Sequence, residues 1–387
     1  MPRLADQHRR LHALSLALAS FTLLASCATR PPESDALRSV TPLGAVPLYT
    51  ERGEAMAVSM SLSGPVRQDE RLDVLALSGG GAHGAFGAGV IKGWSESGKR
   101  PEFDVVTGVS TGALMGVFAF LGPDYDTVLE EIYTTVGQDD IFLLRGVQGF
   151  LRESALDYAP LKLKIETLVS DEVIAALAAE HRKGRRFYVA TTNLDAGALV
   201  VWDIGAIAAS DVDVRARVIH KVLRASAAVP GFFKPVYMQP FPDNPARQMH
   251  VDGGVKAPIL LRSFMLQTDA KERHVWVIIN GKMQLLDAEA NVRPLLTDIT
   301  QKSITELLRG LTELAVYQAY ITTRDLQGQF GLAAIPDGAP INPNPLVFDE
   351  AEMRKLFEIG REQGKASQWE ATPPRLETAI TSGGAGG

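Results

Sequence analysis

Over the first 70 positions apolar residues form only one sustained block, Leu11 to Leu24; from Leu72 onward they fall into short runs that alternate between two periods. Leu72-Asp73-Val74-Leu75-Ala76-Leu77 has strand length and stops at Gly79-Gly80-Gly81. Ala82 to Ser97 then places Ala85, Phe86, Val90, Ile91 and Trp94 on a helical face and closes on Gly98, a residue that suits a helix C-terminus. A second strand, Phe103 to Thr107, leads through Ser110 into a second helix carrying Ala113, Leu114, Val117, Phe118 and Phe120. Strand, glycine-bearing turn and helix thus occur twice in succession.

Further strands are expected at Arg186 to Thr191, Leu199 to Trp202, Met249 to Val251 and His274 to Asn280. Helices are expected at Ala159 to Glu180, Asp213 to Ala228, Asp298 to Asp325 and Asp349 to Gly364. Such alternation predicts an α/β fold with a mainly parallel sheet covered on both faces. Between Ala28 and about Arg71 the chain is polar and carries Pro31, Pro32, Pro42, Pro47 and Pro65 without a sustained period. That stretch reads as a tether with a short strand at Ala57 to Leu62. The Gly/Ser-rich end after Pro374 reads as a flexible tail.

Composition narrows the classes of function. With 46% hydrophobic residues, 387 residues can build a full core. A net charge of -6 and the lack of a long basic run exclude nucleic acid as the main ligand. Arg3, His8, Arg9 and Arg10 precede the Leu11 to Leu24 run, which marks an export signal. That run, diluted by Ser15, Ser20 and Thr22, falls short of the roughly 20 residues a spanning helix needs. Cys27 is the sole cysteine, so it has no internal disulfide partner. Leu24-Ala25-Ser26-Cys27 resembles a bacterial lipoprotein signal, in which the cysteine receives diacylglycerol and becomes the new N-terminus. Ala28 after it resembles the sorting pattern for the outer membrane. The expected division is a signal peptide at 1–26, a lipidated tether at 27–71, a catalytic body at 72–374 and a tail at 375–387.

Three motifs carry chemistry. Gly108-Val109-Ser110-Thr111-Gly112 sits where a strand turns into a helix, the context of a nucleophile elbow: the flanking glycines permit close packing and the helix N-terminus favours developing negative charge. A serine hydroxyl needs a base. His8 and His12 belong to the signal, His181 and His220 to helix faces, and His274 to the start of a strand, the wrong edge for an elbow. His250 lies inside a short strand. Asp252 ends that strand and precedes Gly253-Gly254, which allow a tight turn under an exposed carboxylate. Asp-Gly is also a common hairpin turn, so this dipeptide alone decides nothing. Gly79-Gly80-Gly81-Ala82-His83-Gly84 also fits the dinucleotide fingerprint G-x-G-x-x-G. Its ribose-binding acid would have to be Asp104, which stands at the beginning of the second strand and not at its C-terminal end. The loop therefore faces Ser110, and its free amides suit an oxyanion.

In order and kind, Gly79 to Gly84, Gly108 to Gly112 and Asp252 to Gly254 resemble the patatin-like phospholipase family over about Leu72 to Lys256, with Ala190 to Asp195 and Ala225 to Phe233 as intermediate segments. The resemblance implies a three-layer α/β/α sandwich and a Ser110–Asp252 dyad without histidine. It further implies an oxyanion loop at Gly79, Gly80 and Gly81, an acyl-enzyme, and no metal or organic cofactor. The implied partner is an acyl lipid, glycerophospholipids first. One departure stands out: the family usually has arginine or lysine where this chain has His83. Either His83 substitutes as a donor supporting the loop, or that positive charge is missing at neutral pH. Val229 to Phe233 either lines an acyl pocket or packs as an ordinary loop. The rival functions are a catalytically inert, membrane-tethered lipid-binding protein and a nucleotide-binding protein.

Overall fold

The computed structural model describes residues 45–47, 65, 70–144, 156–211, 215–238, 247–283, 292 and 294–374. The expected signal peptide, Cys27, the strand at 57–62 and the tail lie outside the described residues. The N-terminal half runs β1 (Ala45–Pro47), β2 (Arg71–Leu77), α1 (Gly84–Glu96), β3 (Val105–Gly108), α2 (Thr111–Leu121), α3 (Asp126–Thr134), β4 (Leu143–Leu144), β5 (Leu156–Asp157), α4 (Ala159–Leu168) and α5 (Asp171–Arg182). There follow β6 (Arg186–Asn193), β7 (Ala198–Asp203), α6 (Ile204–Ala209), α7 (Arg215–Ser226), β8 (Val236–Met238), β9 (Gln248–Asp252), β10 (Glu272–Lys282), α8 (Leu296–Asp325), β11 (Gln329–Ile335) and α9 (Glu350–Lys365).

The main sheet has the order β1-β7-β6-β3-β2-β10-β11, and its five strands from β6 to β11 are parallel. β7 and β9 pair antiparallel with β6. Both faces are buried, which is why the central strands read as nearly continuous apolar runs. Leu75, Leu77, Val106, Phe187 and Ile278 face a core shared with α1, α2 and α9. Val74, Ala76, Val105, Tyr188 and Val277 face a second core closed by Ile259, Leu260, Met265 and α8 residues Val316 and Ala319. The result is a three-layer α/β/α sandwich with a mainly parallel sheet, the fold class expected from the sequence.

Four local differences have physical reasons. The expected helix from Ala159 to Glu180 is two helices, because Ser170 adopts an extended backbone and caps α5 by accepting the Val173 N–H. Ala45–Pro47, inside the stretch expected as a tether, pairs antiparallel with β7 as an edge strand, a position that tolerates proline. β11 is too rich in alanine and glycine to announce itself as a strand. The strand expected to end at Asn280 continues to Lys282 through a register shift against β11.

At the N-terminal edge of the parallel strands, Asp73 and Asp104 join in a small polar network. Asp104 Oδ2 accepts the Asp73 N–H at 2.8 Å, and Asp73 Oδ1 accepts from Arg71 at 2.7 Å and from the Trp276 indole at 3.0 Å. Asp104 therefore ties two strand starts together at the edge opposite the glycine loop.

Candidate active site

Chain topology explains why Ser110 and Asp252 meet. β3 lies along β6 only as far as Gly108, which pairs with Val189. β9 then takes over the same edge of β6, with Asp252 opposite Thr191. The end of β9 thus arrives just beyond the end of β3, where α2 begins. Ser110 caps α2 with φ 55° and ψ -126°, a conformation L-residues adopt at a cost of about 1–3 kcal/mol. Its N–H donates to Ser226 Oγ at 3.0 Å. A Cβ on Gly108 would stand 2.4 Å from the Gly112 carbonyl oxygen, and one on Gly112 2.5 Å from that of Leu77. Both positions therefore require glycine for packing.

The loop after β2 faces this elbow. Gly79 packs against it so closely that an added Cβ would come 3.1 Å from Ser110 Cβ. Gly81 has φ 53°, and a Cβ there would meet the Pro345 carbonyl oxygen at 2.2 Å. Of the three expected oxyanion donors, the Gly79 amide points to the Pro258 carbonyl at 3.4 Å. Those of Gly80 and Gly81 have no hydrogen-bond partner among the described residues. Asn280 buttresses the loop: its Nδ2 donates to Ser78 O at 2.9 Å, its own N–H donates to Ser78 Oγ at 2.8 Å, and its Oδ1 accepts the Gly87 N–H at 3.1 Å.

Asp252 is 5% exposed and Ser110 7%. Burial pushes the Asp252 carboxyl up to about 6, against hydrogen bonds from the Ser110 side chain and from the Gly254 N–H, the latter at 2.7 Å. Gly253 and Gly254 open a short 3-10 turn in which the Asp252 side chain caps Gly254.

The histidines are engaged elsewhere. His250 is fully buried, held down to about 3 by burial, and its Nδ1 lies 2.9 Å from Thr191 Oγ1. His220 Nε2 lies 2.7 Å from the Val169 carbonyl oxygen, and His181 is beside Asp203. His274 sits near the start of β10 beside Glu272, at the opposite edge. His83, buried in the turn before Gly84, donates Nε2–H to the Asn342 carbonyl at 2.8 Å. Burial lowers its pKa, opposed by that hydrogen bond and aided by the charge of Lys282. His83 therefore fastens the glycine turn to the segment before α9 as a donor, and its burial favours the neutral ring.

Two cavities meet at Ser110. One, of about 90 Å³, is almost wholly apolar; Leu114, Phe118, Ile132, Val136, Ile165 and Phe348 are among its walls. The other, of about 460 Å³, holds Asp252, the glycine loop, His83, Asn280, Lys282 and the Glu306/Arg309/Glu313 face of α8. Val229 lines both, Phe233 the first, and Pro230 and Phe232 the second. The sequence points to Val229 and Phe233 as lining, but not to Ser226, Asn280, Lys282 or the helical walls of the apolar cavity. Asn280 and Lys282 had a usable signal, their place at the C-terminal end of a strand in a parallel sheet, where sites form. Among the described residues no group of three or more His, Cys, Asp or Glu could hold a metal ion, and no helix is long and apolar enough to cross a membrane.

Residues 75–265 match the family model described as patatin-like phospholipase. Among solved structures the chain is similar to VipD from Legionella pneumophila, 12% identical over 89% of this chain and 72% of that one, with a TM-score of 0.40. It is also similar to the type III effector protein ExoU, 14% identical over 77% of this chain and 52% of that one, with a TM-score of 0.31; the match thus spans about half of ExoU. No curated protein matches it in sequence.

Proposed function

Since residues 75–265 are a patatin-like phospholipase domain, we propose that the chain is a lipid acyl hydrolase of the phospholipase A or lysophospholipase type working through a Ser110–Asp252 dyad. Asp252 takes the Ser110 proton as Oγ attacks the ester carbonyl carbon, and the amides of Gly80 and Gly81 receive the oxyanion. Collapse of the tetrahedral adduct breaks the ester bond, and the departing alcohol takes the proton back from Asp252. Water then gives a proton to Asp252 and attacks the acyl-enzyme, which releases the fatty acid and restores Ser110. The acyl chain lies in the apolar cavity and the rest of the lipid in the polar one.

The observation that carries this reading is a strained serine beside a buried carboxylate of raised pKa, facing two amides without a hydrogen-bond partner among the described residues. A carboxylate near 6 is a stronger base than one near 4, yet stays ionised at neutral pH. A fluorophosphonate probe tests it: native protein should be labelled and should release fatty acid from lipid. Ser110→Ala should lose both, turnover by at least about 10⁴-fold. Folded native protein that resists the probe and releases no fatty acid would leave the inert lipid-binding alternative.

Cys27 is proposed to carry the lipid anchor, which sets the body on a bacterial membrane, the outer one by its Ala28 neighbour. Incorporation of an alkyne fatty acid during growth should disappear in Cys27→Ser, and the protein should leave the membrane fraction. Undiminished labelling of that variant would refute the anchor.

A further inference from the structure

Lys282 is the last residue of β10, the strand parallel and adjacent to the one that feeds the glycine loop. The regular pairing of β10 with β11 breaks between Ile279 and Lys282, across Asn280 and Gly281. Such irregularities re-aim side chains at sheet edges next to sites. Here Asn280 holds the glycine loop, and Lys282 lines the polar cavity with Ser110 and Asp252. Its charge reaches the His83 ring.

Lys282 is half-buried and has neither an ion pair nor a hydrogen bond among the described residues. The other charges of this cavity are spoken for. Arg309 on α8 donates to Glu306 at 2.7 Å and also to Glu313, and Lys302 lies 3.0 Å from Glu306. Asp252 is engaged by Ser110 and Gly254, Asp337 has interactions of its own, and His83 is neutral. A partly desolvated ammonium without a counter-charge is costly, and an anionic ligand group removes that cost. In a glycerophospholipid the phosphodiester is separated from an acyl carbonyl by only a few covalent bonds. A cation beside the oxyanion loop is therefore within its reach when the carbonyl is at Ser110.

We propose that Lys282 binds the phosphodiester of the lipid in the polar cavity and so selects glycerophospholipids over uncharged acylglycerols. This rests on the hydrolase reading above. Lysine suits the task as a point charge with rotatable donors that asks for no fixed bidentate geometry.

The test compares kcat/KM for monomeric dihexanoyl phosphatidylcholine and dihexanoylglycerol, which share acyl chains and differ at the phosphodiester. Native protein should prefer the phospholipid. Lys282→Gln should lose about 10- to 100-fold of that preference, mostly through KM, and Lys282→Arg should restore most of it. Because both lipids are compared within each variant, a general loss of reactivity at Ser110 cancels in the ratio. An unchanged preference in Lys282→Gln would overturn the assignment, as would native protein that hydrolyses both lipids equally well. Absence of both turnover and labelling in native protein would overturn the hydrolase reading itself.

Discussion

The two cavities that meet at Ser110 are built by opposite rules. The apolar one is walled by side chains of regular helices, α2, α3 and α4, together with Phe233, Leu346 and Phe348. The polar one is walled by strand ends, glycine backbone, the irregular end of β10 and one face of α8. Helix walls are rigid, because each apolar residue also packs into the main core, so they can measure length and shape. Strand ends leave the Gly80 and Gly81 amides without partners among the described residues and place the Asp252 carboxylate beside Ser110, so they can handle an oxyanion and a proton. On the proposed function, chemistry and chain-length selection sit on different structural materials joined at one serine, and each can be broken separately.

After Ser110→Ala, the largest effect should come from Asp252→Asn. The amide keeps an oxygen for the Gly254 N–H and cannot accept the serine proton, so kcat should fall by about 10² to 10⁴-fold. The same change should stabilise the protein. Asp252 ionises near 6 when folded and near 3.8 when exposed, so the native state holds its proton more tightly. The stability this confers is full below about pH 4 and is lost as pH rises through 6. At pH 8 the asparagine variant should be more stable by about 2–3 kcal/mol, and at pH 4 by nearly nothing. Asp203 is also pushed up to about 6 by burial, so the difference between variant and native protein, and not either curve alone, isolates Asp252. Denaturant titrations at the two pH values measure it. Equal stability at pH 8 with activity intact would show that the carboxylate is neither strained nor the base.

A smaller effect is expected from pH in the native protein. With Asp252 as base, kcat/KM should drop up to tenfold per unit below about pH 6 and level off above 7. The sequence leaves open a second limb, falling above about 6.5, if His83 had to be protonated. Burial and Lys282 keep His83 neutral while it holds the Asn342 carbonyl, so no such limb should appear up to pH 9. A rate that declines between pH 6.5 and 8 would return the protonated His83 to the mechanism.

The polar cavity was far more legible in the sequence than the apolar one, for a physical reason. Gly79 to Gly84, Ser110 between its glycines and Asp252 before Gly253 need special backbone shapes, and such residues are recognisable singly and in order. Leu114, Ile132 and Ile165 look like any core residue at helical spacing, and only the assembled fold shows that a void runs between them. Asn280 and Lys282 were half-legible: the strand was read, but its extension past the irregularity was not, because pairing with β11 supplies it. The same limit applies to α3, and to the break between α4 and α5, where no glycine or proline marks the boundary and Ser170 alone caps the new helix.

The finest test of the comparison is Leu114→Trp. Leu114 lies one turn into α2 after Ser110 and is partly exposed to the apolar cavity, so a larger side chain there can grow into the void without displacing the elbow. If that void holds the acyl chain, bulk at this point should reject long chains and spare short ones. Methylenes kept out of an apolar site forfeit about 0.8 kcal/mol each, and two of them already amount to roughly tenfold. The ratio of kcat/KM for p-nitrophenyl palmitate over butyrate should therefore fall by about tenfold or more, with butyrate hydrolysis little altered. An equal loss on both esters would mean that tryptophan had disturbed Ser110 and not chain length. An unchanged ratio would move the acyl chain out of this cavity and into the polar one, where α8 offers the only long helical wall among the described residues.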